Sequence, residues 1–189
     1  MMRYILFSLF FVVCVFCQNS IGAQNNQNGT IVFEAYSISV DLRPLDINEL
    51  TIFFDETAEQ DSNNVAAIEN LNRWNIFHKV DKDIGYRIYF EFYADTEGKW
   101  QFDFVYDAGI VSGVLIDQKE VFFSDMDKYI DIQKPMVKTV ALKHGWHKFE
   151  FLALENCCGS PITIRVKKPD MKEFKVISDK TLQLRSITQ

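Results

Sequence analysis

Carboxylates in predicted turns are the residues of this sequence whose positions best suit ligand binding. Asp95, Asp107 and Asp117 each fall in a turn between short predicted strands. Because a rigid sheet positions the loops at one end of a β-sandwich, these side chains are candidate ligand-binding residues. Tyr89 and Tyr93 alternate on the polar side of their strand, where an exposed aromatic ring can stack on a sugar. Asp is also a favoured turn residue, and a tyrosine can pack beneath neighbouring strands, so a structural role for each is the competing interpretation.

The histidines are the other reactive groups. His144-x-x-His147 has the composition of a metal-binding pair, but a Gly turn separates the two residues, and no Cys or third His is close in sequence. We therefore expect His147 to pack within a strand, His144 to lie in a turn and His78 to be structural. Motifs of serine hydrolases, zinc proteases and phosphate-binding loops are absent. The sequence predicts a non-enzymatic protein, since a glycoside hydrolase would need paired carboxylates converging in a cleft.

The N-terminal segment predicts secretion. Residues 1–23 carry one positive charge, at Arg3, then an apolar run that is short for a membrane span, and then Ala23 as a small residue at the expected cleavage site. A cut after Cys17, an uncleaved N-terminal anchor and lipid attachment at Cys17 are the alternatives. We expect a secreted, extracellular or cell-surface protein, periplasmic if the source is bacterial, with a polar, mobile leader at residues 24–29.

An adjacent cysteine pair remains after cleavage at Ala23. In an oxidising compartment, Cys157 and Cys158 can form a strained ring disulfide, stay reduced or pair with another molecule. We expect the ring, as a structural staple, because turn-forming residues flank the pair on both sides. Asn28 begins a glycosylation sequon that has meaning only in a eukaryotic source.

Composition and charge restrict the partners. The chain has 189 residues, is 48% hydrophobic and contains 17 Phe and 7 Tyr, which is enough for one domain with a sizeable, strand-rich core. Removing Arg3 with the signal makes the formal net charge of -6 one unit more negative. This balance argues against nucleic acid or an anionic membrane surface as a partner. No second apolar run is long enough to span a membrane.

Short alternating segments predict the fold. Alternation is cleanest over residues 86–94, and Asp95 to Gly98 is expected to form a hairpin into a three-stranded meander at 99–123. Residues 30–42 and 49–55 also have strand-like composition, and the spacing of three apolar residues predicts a short helix near 64–74, with a surface loop as the alternative. About nine strands with frequent turns predict one all-β antiparallel domain, a jelly-roll-like sandwich or a barrel, over residues 30–178, followed by a tail at 179–189.

A set of motifs in the second half resembles a known family. Trp100-x-Phe102, the Asp107 turn, Gly113-Val114-x-x-Asp117 and the strand entry Gly145-Trp146-His147 together resemble the PA14 and GLEYA-like β-sandwich modules. The hairpin with Glu155, Cys157, Cys158 and Gly159 resembles a subgroup that carries an adjacent-cysteine motif. The resemblance covers residues 85–166, and it implies a PA14-like sandwich.

The same resemblance implies a function, although the sequence departs from the family's motifs at two points. The family's usual Asp-Gly turn is Asp117-Gln118 here, and the Asp-Asp pair through which yeast adhesins of this family hold calcium is absent, which leaves calcium weakly supported. We expect a non-catalytic module that binds carbohydrate or a glycoprotein, as an adhesin does, through loops at one end of the sandwich. A structural or assembly subunit that binds extracellular protein partners is the alternative.

Overall fold

Two antiparallel sheets face each other across a core of aromatic side chains. The computed structural model describes residues 30–39, 42–77, 83–106, 111–124, 136–155, 161–185 and 187. Asp107, Cys157, Cys158, Asn28 and His78 lie outside the described residues. The strands are, in chain order, β1 (Ile31–Ser37), β2 (Asp61–Val65), β3 (Ile84–Ala94), β4 (Gly98–Val105), β5 (Val111–Ile116), β6 (Lys119–Ser124), β7 (Met136–Leu142), β8 (Gly145–Glu155), β9 (Thr163–Lys167), β10 (Lys175–Val176) and β11 (Leu184–Arg185).

The larger sheet is built around its two longest strands. It has the order β2-β1-β3-β8-β5-β6, with β11 paired to the free part of β3, and the smaller sheet has the order β10-β9-β4-β7. All eleven residues of β3 pair with β8, from Ile84 opposite Glu155 to Ala94 opposite Gly145. The all-β antiparallel sandwich predicted from sequence is therefore confirmed. The paired strand β11 falls in the segment that we predict as a C-terminal tail.

The core between the sheets follows the predicted alternation of side chains. One face of each strand contributes large side chains that are almost fully buried, and these meet at ring-to-ring distances of 4.9 to 6.5 Å. The largest of them are Phe33, Tyr86, Phe90, Phe92, Trp100, Phe102, Phe149 and Phe151. Burial of this surface is the main force that holds the two sheets together.

The predicted three-stranded meander is wrong in its connections. β4 belongs to the smaller sheet, whereas β3 and β5 belong to the larger one, so the chain changes sheets before and after β4. The segment Asp95 to Gly98 is therefore a crossing between sheets rather than a hairpin. Alternation shows which face of a strand is buried, but strands of both sheets turn an apolar face inward, so it cannot assign a strand to a sheet. The β5–β6 hairpin is confirmed.

A helix stands where a strand is predicted at residues 49–55. α1 (Ile47–Glu56) begins at Asp46, whose carboxylate accepts hydrogen bonds from the N–H groups of Asn48 (2.8 Å) and Glu49 (2.9 Å). Its buried residues are Ile47, Leu50 and Phe54. The β-branched and aromatic composition of the segment is typical of a strand, whereas the spacing of its buried apolar residues at i, i+3 and i+7 is typical of a helix.

α1 covers the apolar half of the outer face of the larger sheet. Ile47, Leu50 and Phe54 pack on Leu115 of β5 and Leu152 of β8, together with Tyr36, Ile38, Val111 and Leu154. Gly113 permits this approach, because a Cβ atom there would lie 2.2 Å from the Ile47 Cδ1 atom. No helix among the described residues is long and apolar enough to cross a membrane.

The helix predicted near 64–74 is also misplaced. Residues 61–65 form β2, and Leu71 forms an isolated bridge with Ile162. The only helical turn in this part of the described chain is α2 (Arg73–Ile76). Val65, Ile68 and Leu71 are buried as the spacing implies, but they reach the core from extended backbone. Spacing of three residues fits a winding loop as well as a helix when so few positions are available.

Removal of the helix cap is expected to weaken α1 and the surface it covers. Asp46→Ala leaves two N–H groups at the start of α1 without their acceptor, and we expect a loss of about 1 kcal/mol in the free energy of unfolding. Asp46→Asn keeps an acceptor and should cost less. Urea unfolding followed by tryptophan fluorescence measures both, and an equal loss for the two variants would show that the cap is not the cause.

Candidate functional site

Asp117 is a structural residue of the β5–β6 turn. Asp117 and Gln118 have φ values of 52° and 62°, as a two-residue type I′ hairpin turn requires. One Asp117 carboxylate oxygen accepts the Lys148 N–H at 3.0 Å, and the other lies 2.6 Å from His147 Nδ1. His147 Nε2 donates to the Lys143 carbonyl at 2.8 Å. Both carboxylate oxygens therefore bind the protein itself and join the hairpin to β8.

Of the other predicted carboxylates that the structure describes, Asp95 is paired with a lysine and Glu155 lies far along the strand from Asp117. Asp95 is bound by the ammonium group of Lys168 at 2.6 Å. Glu155 lies seven residues along β8 from the Lys148 N–H that Asp117 accepts, a separation of about 23 Å in an extended strand. A cavity of about 520 Å³ opens beside Asp117 between β6 and β7, and its lining combines aliphatic residues with Lys119, Glu120, Thr139, Lys143 and His147.

The two histidines point to opposite faces of the sheet. His144 lies against the Tyr93 ring, with centroids 5.1 Å apart, whereas His147 faces Phe92 in the core at 5.7 Å. They do not form a metal pair. Within the described ranges, no group of three or more His, Cys, Asp or Glu side chains is placed to hold a metal ion.

A polar pocket on the outer face of the larger sheet is the best candidate site. It lies beside the C-terminal end of α1, next to the part of the sheet that the helix covers, and its volume is about 410 Å³. We call it the outer pocket. Its lining residues are Glu34, Tyr36, Phe54, Asp55, Thr57, Glu59, Arg87, Tyr89, Lys148 and Ile187.

A buried carboxylate forms the floor of the outer pocket. Glu34 is 3% exposed, and its two oxygens accept hydrogen bonds from the hydroxyl groups of Tyr36 (2.5 Å) and Tyr89 (2.6 Å). Tyr89 lies on the outer face as predicted, but it is buried rather than exposed. Burial and the adjacent Glu34 raise the pKa of Tyr36, so its hydroxyl group stays protonated as a donor. The floor is thus fixed by its own hydrogen bonds.

Arg87 forms the centre of the pocket and connects three elements. Its Nε atom donates to Glu150 of β8 at 2.7 Å, and its Nη1 atom donates to Asp55 of α1 at 2.9 Å. Its guanidinium group also lies over the Tyr89 ring, 5.6 Å from the centroid. Burial lowers the pKa of Arg87, but the carboxylates of Glu150 and Asp55 outweigh burial and hold that pKa above its ordinary value.

Negative charge is crowded at one side of the pocket. Burial raises the pKa of the Glu59 carboxyl group, and the negative charges of Glu34 and Asp61 raise that pKa further. On the other side, the Lys148 ammonium group lies 3.5 Å from Glu150, with 35% of the side chain exposed. The pocket therefore has a crowded acidic side and a charge-balanced side.

Sequence reasoning identified only one residue of this pocket. Strand alternation identifies Tyr89. Glu34, Arg87 and the Arg87 partner Glu150 carry no motif, and they lie on three strands that are distant in sequence. Their one local signal is a charged residue among apolar neighbours in a strand. Asp55 carries no signal because the helix that places it is predicted as a strand, and Glu59 follows the end of that helix in a segment of polar, loop-like composition.

Comparison with known proteins places the fold among PA14 domains. No family model and no curated protein matches the sequence. The PA14 domain of the MpAFP antifreeze protein matches at a TM-score of 0.64 and 10% identity, over 82% of this chain and 90% of that one. A PA14 sugar-binding domain from an RTX adhesin matches at a TM-score of 0.64 and 9% identity, over 84% of this chain and 98% of that one. The epithelial adhesin 9 A domain from Candida glabrata, in complex with Galb1-3GlcNAc, matches at a TM-score of 0.60 and 8% identity, over 84% of this chain and 89% of that one. These similarities establish a PA14-like fold.

Replacement of Glu59 is expected to change the pH dependence of stability. Because the Glu59 pKa is raised in the folded protein, the folded state holds this proton more tightly than the unfolded chain does. The resulting stabilisation is lost as pH rises from the ordinary Glu range through the raised pKa. Glu59→Gln removes the charge, so its thermal midpoint should match the wild type below about pH 4 and exceed it at neutral pH. A thermal midpoint of Glu59→Gln below that of the wild type at neutral pH would contradict the raised pKa of Glu59.

Proposed function

We propose that this protein is a secreted or surface-exposed, non-catalytic carbohydrate-binding module, and that the outer pocket holds one sugar ring. The observation that supports this proposal is a preorganised polar pocket of about 410 Å³ on a PA14-like sandwich. That volume lies within the range of small-molecule sites, roughly 300 to 1,000 Å³. Two of the similar structures are a sugar-binding domain and an adhesin domain with a bound glycan.

The chemistry of the pocket suits a polyhydroxylated ring. Sugar hydroxyl groups both donate and accept hydrogen bonds, and the pocket offers carboxylates at Asp55 and Glu59, the Thr57 hydroxyl group and the Lys148 ammonium group. Ile187 adds apolar surface for the carbon face of the ring. Since the floor side chains are already fixed by Glu34 and Glu150, binding orders little of the protein and loses little entropy.

The buried carboxylate of the pocket is poorly placed for glycoside hydrolysis. Glu34 is 3% exposed, and each of its oxygens accepts a hydrogen bond from a tyrosine hydroxyl group. The paired acids of glycosidases flank the scissile bond, which a carboxylate held in the floor does not do. This arrangement favours binding over catalysis.

The proposal extends to location and cofactor. The predicted signal at residues 1–23 would export the chain, and the ring disulfide of Cys157 and Cys158 would form in the oxidising space outside the cell. We propose that sugar binding needs no calcium, since Arg87 and Lys148 already supply positive charge within the outer pocket.

A glycan array with matched lysine variants tests the proposal. We expect selective binding that is the same with calcium and with a chelator. Lys148→Met should weaken it about tenfold or more, since it removes a charged hydrogen-bond donor from the pocket. Lys175→Met is the control, because Lys175 is exposed on the smaller sheet. Titration calorimetry on the best array ligand gives the affinities.

Two outcomes would contradict the proposal. Selective binding that Lys148→Met leaves unchanged would place the site outside the outer pocket. A blank array on folded protein would remove the carbohydrate function and favour the alternative, a subunit that binds extracellular proteins.

A further inference from the structure

The smaller sheet ends in a strand whose outer edge has no partner among the described residues. β7 is the last strand in the order β10-β9-β4-β7, and all seven of its residues pair with β4 without a break in register. In an antiparallel sheet, about half of the backbone N–H and C=O groups of such a strand point away from its one neighbour. β7 therefore presents a row of hydrogen-bonding groups that fits a further extended chain.

The other edge strands that the structure describes are short or have features that hinder pairing. β10 and β11 have two residues each, and β2 has five that are mostly polar. β6 begins with exposed Lys119 and Glu120, and its pairing with β5 contains a register shift. The solvent face of β7 is instead uncharged, with exposed Val137, Thr139 and Ala141. Because short length, charge and bulges protect an edge from pairing, β7 is the least protected of these edges.

The inner side of the β7 edge carries positive charge. Lys138 lies in the same inward-facing row as Met136 and Val140, which pack on the core, and its ammonium group is 5.5 Å from the centre of the Phe122 ring of β6. Two further lysines, Lys119 and Lys143, line the cavity of about 520 Å³ between β6 and β7. None of the three lysines forms an ion pair with a side chain that the structure describes.

The carboxylates in the lining of this cavity do not balance the lysines. Asp117 is already bound by His147 and by the Lys148 N–H, so Glu120 is the one that remains. A chain that pairs with β7 would cover Lys138, and a covered ammonium group without a carboxylate partner destabilises a complex. The edge therefore favours a chain that brings negative charge to its inward face.

We propose that β7 is a docking edge for an extended segment of a protein partner that carries acidic residues at alternate positions. The segment adds to the smaller sheet as a further strand and hydrogen bonds through its backbone to β7. Its inward-facing carboxylates lie opposite Lys138 and beside Lys119 and Lys143, where charge-assisted hydrogen bonds form. Its outward-facing residues are small or β-branched and extend the uncharged solvent face of β7. This surface is separate from the outer pocket, so the inference does not depend on sugar binding.

A second copy of this chain fits the edge less well. If two β7 strands paired antiparallel about Thr139, each Lys138 would lie opposite Val140 of the other copy and diagonal to the other Lys138. β7 contains no carboxylate, so two ammonium groups would approach each other at the covered edge. The charge of the edge therefore favours a partner of opposite sign over self-association.

Three synthetic peptides test the requirement for acidic residues. Each is as long as β7, carries a fluorescent label and alternates valine or threonine with glutamate, glutamine or lysine. Fluorescence anisotropy with the purified protein should give the glutamate peptide an affinity at least about tenfold above that of the glutamine peptide, because only the glutamate peptide forms charge-assisted hydrogen bonds. The lysine peptide should not bind. Equal affinities for the glutamate and glutamine peptides would overturn the acidic preference.

Methylation of the peptide backbone separates strand pairing from simple attraction of charge. In a strand that pairs along one edge, the N–H groups of alternate residues point toward its neighbour and the others point away. Two glutamate peptides, N-methylated at the odd or at the even positions, have the same charge, and only one of them should lose binding. An equal effect of the two methylation patterns would contradict pairing with β7.

Matched lysine variants locate the docking edge. Lys138→Gln should remove most of the difference in affinity between the glutamate and glutamine peptides, whereas Lys138→Arg keeps the charge and should keep that difference. Lys175→Gln is the control, because it removes the same charge from β10 at the opposite edge of the same sheet. An undiminished difference in Lys138→Gln would show that the segment binds elsewhere. A dimer in sedimentation analysis that the glutamate peptide dissociates would make the second copy, and not a partner, the occupant.

Discussion

The partly buried charge of Arg87 is the constraint on which the outer face of this sandwich depends. A guanidinium group taken from water destabilises the fold unless carboxylates surround it, and here Glu150 and Asp55 do so from a neighbouring strand and from α1. The group thereby fixes where the end of the helix lies on the sheet. A leucine at position 87 would leave the carboxylates of Glu150 and Asp55 without their cation. The polar part of the outer face, which also contains Glu34 and Lys148, is therefore organised around this one charge.

The division of the outer face follows from the same interaction. Leu152 and Leu154 at one end of β8 lie beneath α1, whereas Glu150 and Lys148 farther along the strand pass beyond the cover of the helix. The outer pocket lies at this boundary, where a buried floor meets an open rim. Boundaries of this kind allow polar groups to be fixed by buried partners and still reach solvent, which is what a preorganised binding site requires.

Much of the fold was predictable because burial imposes local patterns. The alternation of β3, the aromatic face of β4 and the Asp117-Gln118 turn each reflect a rule that acts within a few residues. The sheet to which β4 belongs was not predictable, since that choice depends on contacts with β7 and β9, which are distant in sequence. α1 was missed for another reason. Its sequence favours a strand by composition, and its helical structure depends on one cap and on the surface it covers.

The candidate site was less predictable than the fold, and the reason is physical. The expectation placed the ligand in loops at one end, where Asp is common, and the turn carboxylates that the structure describes are instead bound by the protein's own donors. The outer pocket takes one residue or two from each of several elements, and none of those residues is unusual in its own segment. What marks the site is the way its partners come from different elements. Arg87 of β3 binds Glu150 of β8 and Asp55 of α1, and Glu34 of β1 accepts hydrogen bonds from two tyrosine hydroxyl groups. This arrangement exists only in three dimensions, because its residues are distant from one another in sequence.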